Sequence, residues 1–273
     1  MRLTEPQRRA PRLTELRFQY QPIVSLSAGE PGWSEALVRW QLPDGTVLGP
    51  LDILPHWLSP SRQDEFTRFC IERAAAVIAA NPEALVSVNL SPAQVMHPAT
   101  LLALEGLLPS VRDRLRIELT EQRVYDMGAL WGSLGTLRDR CGLVLLDDVT
   151  LEDLDLRSRA GAPIDGIKVD RSVIAQLSSR DDRPRIEKFL LNATERFPIV
   201  VAEGIEDTAV CEGLRELGVS HVQGFAIAKP RYELVEPLFE PGLPSDGAHA
   251  RHVLRRTFGD NLPGGSPAEL NEQ

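Results

Sequence analysis

The chain is short of cysteine, of aromatic side chains and of positive charge. Among its 273 residues are 3 cysteines, 5% aromatics, and 30 Lys plus Arg against 39 Asp plus Glu. Cys70, Cys141 and Cys211 stand far apart and are odd in number, so they propose neither a disulfide framework nor a zinc site. The net charge of -9 makes the overall field a poor attractant for a DNA or RNA polymer or an anionic membrane. An anionic substrate would need a local device, such as bound metal, to offset the repulsion. No uninterrupted apolar run approaches the ~18 residues of a membrane span, so none is expected. The N-terminal MRLTEPQRRAPRL has no apolar core of a secretion signal, and a cytoplasmic location is expected. What remains is ordinary, 42% hydrophobic and 25% charged, which excludes collagen, coiled coil and wholesale disorder.

Three regions are expected. Residues 1–16 form a weakly ordered leader, 17–240 a single folded domain, and 241–273 a tail whose HARHVLRRTFG stretch is able to form a short basic helix. Inside the domain, short runs rich in Val, Ile and Leu alternate with segments of helical spacing. The runs are Phe18 to Leu26, Ala36 to Leu42, Leu85 to Leu90, Leu115 to Leu119, Leu143 to Leu146, Ile164 to Val169, Ile199 to Ala202 and Val222 to Ile227. Between them, DEFTRFCIERAAAVIAA, LWGSLGTLRDR, RIEKFLLNATERF and TAVCEGLRELG repeat apolar residues at three and four. That alternation argues for an α/β fold with a parallel sheet covered by helices, and eight runs point to a (β/α)8 barrel.

The polar residues fall at the ends of those runs. Asn89 ends VSVN, Glu118 and Glu121 end RIELTE, and Asp147 and Asp148 end LVLLDD. Lys168 and Asp170 end IDGIKVD, Glu203 follows IVVA, and Gln223 follows SHV. In a barrel the C-terminal strand ends converge on one face, where catalytic groups gather. A buried carboxylate costs several kcal/mol unless it is paired or metal-bound, so repeating it at several strands makes sense only if a cation collects them. Oxygen donors without Cys or His suit Mg²⁺ or Mn²⁺. Two ions near a lysine suit phosphodiester hydrolysis, because they lower the pKa of a water and stabilise the attacking and leaving oxygens. Lys168 is equally compatible with orienting that water and with a salt bridge across the barrel mouth. Glu35 and Arg39 share one face of a strand at even spacing. They read either as a metal carboxylate beside a phosphate-binding guanidinium or as an internal pair.

The segments YQPIV, SEALVRW, VSVNLSPAQV, RIELTE, LLDD, IDGIKVDRSVI, VVAEGIED and VQGFAIAKP resemble, in order, the motifs of the EAL-domain family, from about Phe18 to Pro230. The resemblance implies a modified TIM barrel with one antiparallel strand, and hydrolysis of cyclic di-GMP to linear pGpG with two Mg²⁺ or Mn²⁺ ions. It implies that Glu35, Asn89, Glu118, Asp147, Asp148 and Glu203 are metal ligands, with Glu35, Lys168 and Glu203 catalytic. It assigns Gln21, Arg39, Asp170 and Gln223 to substrate, and Glu121 to anchoring the loop after the paired aspartates. A homodimer, and regulation by a separate protein partner, are further implications.

That loop departs from the family. Where the family has Phe-Gly-Thr-Gly and Tyr-Ser-Ser, this chain has Val149, Thr150, Leu151, Glu152, Asp153, Leu154 and Asp155. With both glycines gone, positive φ becomes costly at Thr150 and Glu152, and three new carboxylates enter beside an anionic substrate. The stretch LGPLDILPHWLSPSRQDEF also loses a family glutamate, which reads as a changed helix start, with His56 beside Trp57 expected to be packing. Three readings follow: a phosphodiesterase, a cyclic di-GMP receptor without turnover, and a ligand-free scaffold. The complete acidic set favours the first.

Overall fold

The computed structural model describes residues 9–27, 30–120, 126–153 and 161–234. β1 (Leu16–Ser25) pairs antiparallel with β2 (Trp33–Gln41), which turns through a hairpin into the short β3 (Val47–Leu48). From β2 the sheet runs in parallel through β4 (Val86–Leu90), β5 (Leu115–Leu119), β6 (Leu143–Val149), β7 (Gly166–Val169), β8 (Ile199–Ala202) and β9 (His221–Val222). β9 then pairs with β1, again antiparallel, which closes a barrel of eight strands. Within the closed ring β1 is the one strand that runs against the others, and β3, antiparallel to β2, lies outside it.

Helices cover the barrel: α1 (Pro50–Trp57), α2 (Gln63–Ala80), α3 (Pro92–Val95), α4 (Pro98–Glu105), α5 (Pro109–Arg112), α6 (Met127–Arg138), α7 (Arg171–Ala175), α8 (Arg183–Thr194) and α9 (Cys211–Glu216). Five of them carry proline in the first turn, where a missing N–H costs nothing and the fixed φ suits the helix. α2 shows how helical spacing becomes packing. Its Ile71, Ala74, Ala75 and Ile78 join the main core against the strands. Its Phe66 and Cys70 turn to a second cluster with Trp40, Ile53 and Trp57 under the β2–β3 hairpin. Trp57 is buried there beneath the Arg62 guanidinium, while His56 is half-buried on the outside. Inside the barrel, Ile23, Trp33, Leu145 and Val201 form a dry floor.

Two strands are shorter than the apolar runs that encode them. In the run from Ile164, the backbone N–H of Asp165 donates to the Val144 carbonyl, and its carboxylate accepts from the Val144 N–H at 2.8 Å, so a side chain supplies the first rung before β7 begins. In the run to Ile227, Gly224 lies against the Ile205 backbone so closely that a Cβ would overlap its N and O. That contact bends the chain away after Val222 and lets Ala226 N–H donate to the Ile205 carbonyl. At the entry, the Arg9 guanidinium pairs with Glu15 and lies over Trp40 ahead of β1. Residues 1–8 of the expected leader and all of the expected tail fall outside the described residues. Among the described residues no helix is long and apolar enough to cross a membrane.

Candidate active site

Each strand delivers its polar residue to the same mouth. Glu35 projects from β2, Asn89 from β4, Glu118 from β5, Asp147 and Asp148 from β6 and Lys168 from β7, with Glu203 just past β8 and Gln223 just past β9. The Lys168 ammonium, in a residue only 1% exposed, touches four carboxylates. It lies 2.6 Å from Glu203, 2.8 Å from Glu118, 3.0 Å from Asp147 and 3.4 Å from Glu35. Glu35 is held on its other sides as well, accepting from Asn89 Nδ2 at 2.6 Å and Gln223 Nε2 at 2.8 Å. Gln223 Oε1 is buried and has no hydrogen-bond partner among the described residues.

Five acidic groups around one ammonium leave the mouth negative, and their proton affinities record it. Burial pushes the Glu118 carboxyl up to about 8 and the Glu203 carboxyl up to about 7, against the pull of Lys168. Burial raises Asp147 as well, and partial burial beside Asp147 raises Asp148. Glu35 goes the other way. Burial would lift it, but Lys168 and the hydrogen bonds from Gln223 and Asn89 outweigh that and hold it below its ordinary range. For Lys168, burial disfavours the charge, yet the surrounding carboxylates led by Glu118 and Glu203 keep the amine well above its usual value.

The paired aspartates pose a geometric problem that the backbone solves. Successive side chains on a regular strand point to opposite faces, so Asp147 and Asp148 would part company. Between Leu146 and Val149 the pairing of β6 with β7 shifts register, and Asp148 takes a φ of 54°. This bulge re-aims the second carboxylate, a left-handed conformation that aspartate tolerates better than most residues. The result is two acidic triplets sharing one member: Glu35 with Glu118 and Asp147, and Asp147 with Asp148 and Glu203, the ligand atoms within each triplet lying within 4.8 Å of one another.

The bulge also corrects the expectation of strain in the rewritten loop. Thr150 and Glu152 do not carry positive φ; among described non-glycine residues only Asp148 does. The chain makes its turn at the bulge. It then winds into a single 3-10 turn, Leu151–Asp153, fastened by Leu151 in the main core, with Glu152 exposed. Leu154 and Asp155 lie outside the described residues, as does Glu121.

Of the remaining sequence-predicted residues Gln21 lines the mouth, while Arg39 and Asp170 are not among the residues lining either cavity, and all three are engaged by the protein itself. Gln21 Nε2 donates to the Ala228 carbonyl at 3.2 Å, in a strap that pairs with β1 at Tyr20. Arg39 donates from Nε to Gln19 at 2.9 Å, and burial lowers its guanidinium pKa. The Asp170 carboxylate caps α7, accepting from Ser172 N–H at 2.9 Å. Sequence reasoning missed Arg171 and Phe225, which line the same mouth, Phe225 being 62% exposed. Neither belongs to an apolar run or a carboxylate pattern. An arginine opening a helix directly after a capping aspartate, and an aromatic directly after Gln-Gly, are the signals that were present. Gly204, at φ 69°, packs its backbone onto Arg171 where any Cβ would collide.

Two cavities meet at Glu35 and Asp147. One, of about 280 Å³, is the polar mouth with Lys168, Arg171, Glu203 and Phe225. The other, of about 260 Å³, runs between β2, α1 and α2 and is lined by Leu37, Pro50, Leu54, Leu58 and Phe66, with Asn89 at its inner end. The donor set of carboxylates, an amide and an orphaned amide oxygen fits hard divalent cations. The charge deficit left by one ammonium among five acids fits them too.

Comparison with known proteins bears on the family and the fold. An uncharacterised signalling protein of Caulobacter vibrioides is 32% identical over 225 residues, covering 79% of this chain and 27% of its own. The cyclic di-GMP phosphodiesterase NbdA of Pseudomonas aeruginosa is 27% identical over 254 residues, covering 84% of this chain and 31% of its own. The chain thus spans about a third or less of the length of these relatives. Among solved structures, the phosphodiesterase PaMucR in complex with c-di-GMP shares the fold with a TM-score of 0.67 at 24% identity, over 80% of this chain and 92% of that one. The model of the EAL domain matches residues 5–230, and the chain therefore belongs to the EAL domain family.

Proposed function

We propose that this chain hydrolyses cyclic di-GMP to linear pGpG in a reaction that depends on two divalent cations, Mg²⁺ or Mn²⁺. The observation that carries the reading is the pair of acidic triplets sharing Asp147, gathered at one barrel mouth around a buried lysine. Glu35, Glu118 and Asp147, with Asn89 beside Glu35, would hold one cation. Asp147, Asp148 and Glu203 would hold the other. Such ions supply a water of lowered pKa and positive charge to set against the attacking and leaving oxygens of a phosphodiester.

The chain's own residues do the rest. Lys168 has three donors and no acceptor, so it orients an attacking water through the water's oxygen and offsets charge on the phosphorus. Asn89 and Gln223 fix the Glu35 carboxylate from two sides, which keeps one ligand in a single orientation. Gln223 Oε1, buried and unpartnered, offers an acceptor to a bound water. The meeting of two cavities at Glu35 and Asp147 supports a ligand with a phosphodiester at its centre and a base to either side. The apolar slot lined by Leu37, Pro50 and Phe66 suits one base. The exposed Phe225 face and the Arg171 cation suit the other base and a phosphate. The name of the NbdA relative and the ligand of the PaMucR structure point to the same substrate.

The test is turnover of cyclic di-GMP by the purified chain with Mn²⁺ or Mg²⁺, the product resolved by chromatography. Metal-dependent pGpG is expected, falling at least ~100-fold in Glu35→Ala, which removes a ligand common to both cavities. A folded protein that binds cyclic di-GMP and releases no pGpG would instead be a receptor. One that binds no nucleotide under any metal condition would be a scaffold.

A further inference from the structure

Directly beneath the acidic mouth lies a stack of side chains that the proposed chemistry does not touch. Trp33 is completely buried on β2, one pleat below Glu35 on the same face, in the dry floor with Ile23, Leu145 and Val201. The Arg116 guanidinium sits over its ring, 4.1 Å from the centroid. The His221 ring packs against it at 4.7 Å and is itself tied to Ser220 Oγ at 2.9 Å. Arg116 is buried, with its guanidinium over this aromatic face and within electrostatic reach of Glu118 and His221. The floor is therefore a clamped layer, and the Trp33 indole N–H reaches from it to the acidic mouth. That N–H donates to Glu118 Oε1 at 3.5 Å, while the other Glu118 oxygen is claimed by Lys168 at 2.8 Å.

We infer that Trp33 is a positioning residue: its indole N–H fixes the orientation of the Glu118 carboxylate for cation binding, and Arg116 on its face strengthens that donor. The inference rests on the metal-dependent reading above. Glu118 is wholly buried, and besides Lys168 the indole is its only hydrogen-bond partner among the described residues. A cationic guanidinium over the ring draws π-density toward itself, which polarises the N–H and makes it a better donor to an anion. Groups that orient a ligating carboxylate in this manner typically change metal affinity by about 10–100-fold when lost.

The experiment is Mn²⁺ binding to the metal-free chain, measured by calorimetry and by the electron paramagnetic resonance of free Mn²⁺. The proteins are the parent, Trp33→Phe, Arg116→Met, Glu118→Ala and Trp33→Phe/Glu118→Ala. Trp33→Phe keeps most of the packing and deletes only the donor. It is expected to weaken Mn²⁺ at least ~10-fold with an unchanged circular dichroism spectrum, and Arg116→Met is expected to weaken it by a smaller factor. In the Glu118→Ala background, Trp33→Phe is expected to have no further effect, because the indole acts through that carboxylate. Equal losses in both backgrounds, or parent affinity in a folded Trp33→Phe, overturn the inference while leaving the metal reading standing. If Trp33→Phe does not fold, Arg116→Met decides alone: parent affinity there overturns the inference. A parent chain that binds no Mn²⁺ overturns the metal reading and this inference with it.

Discussion

At Lys168 one ammonium faces four carboxylates within 3.4 Å, in a residue that solvent hardly reaches. A buried charge is tolerable when paired and severe when its partner is removed. Lys168→Met keeps an unbranched side chain one atom shorter and deletes the charge, so it leaves four acids facing one another. It is expected to abolish turnover and to destabilise the metal-free protein by about 3–5 kcal/mol in urea unfolding. Saturating Mn²⁺ should restore a large part of that stability, because the cations replace the lost positive charge; turnover should not return, because the group that orients the water is gone. A Lys168→Met protein as stable as the parent without metal would show that the carboxylates in the parent are held by something other than this ammonium.

At the scale of elements, the bulge in β6 does what no single side chain could. It bends two sequence neighbours to one face, and the 3-10 turn behind it holds Leu151 in the core. Glu152 lies in that turn without positive φ, so restoring a glycine there relieves no strain. Glu152→Gly is expected to cost about 0.5–1 kcal/mol by denaturant unfolding, the ordinary entropic penalty. Asp148→Val, a β-branched residue forced to the positive φ of that site, is expected to cost about 1–3 kcal/mol, and Asp148→Asn far less. These elements also mark what the sequence disclosed. The strands were legible because Val, Ile and Leu concentrate in them, and the carboxylates at LDD and IELTE because charge at the end of an apolar run is conspicuous. The β2–β3 hairpin escaped because its return strand is two residues long, and α1, α3, α4, α5 and α7 because pieces of four to eight residues carry too few turns to show a period. The bulge escaped because nothing in the letters Asp-Asp separates a regular strand from a kinked one. Trp33 escaped for another reason. An aromatic in an apolar run reads as packing, and only the position of its N–H below Glu118 distinguishes it.

For the whole molecule, the charge at the mouth sets how stability follows pH. Glu118 and Glu203 ionise near 8 and 7 in the folded chain and near 4.5 when unfolded, with burial as the main cause. Between those values the folded state holds protons that the unfolded state has lost, so stability falls as pH rises through the window. Asp147 and Asp148, also raised, act in the same sense. Glu35, held low, would lose its contribution only below its unfolded value, well outside the window. His221 opposes the trend on the acid side. Burial holds its pKa at about 4 against 6.5, so acidification below 6.5 charges the unfolded chain first and destabilises the fold. Lys168 remains protonated throughout. The clean interval is therefore pH 6.5 to 8.5, where the metal-free protein is expected to lose on the order of 5 °C or more in melting temperature. Mn²⁺ should flatten that slope, because ligation favours the ionised carboxylates that the empty mouth disfavours. Differential scanning calorimetry at fixed ionic strength, with chelator and with Mn²⁺, checks both halves. A melting temperature that rises across the interval in chelator would mean that the carboxylates already ionise without metal. The charge deficit at the mouth would then be met inside the chain, and the case for two cations would lose its electrostatic basis.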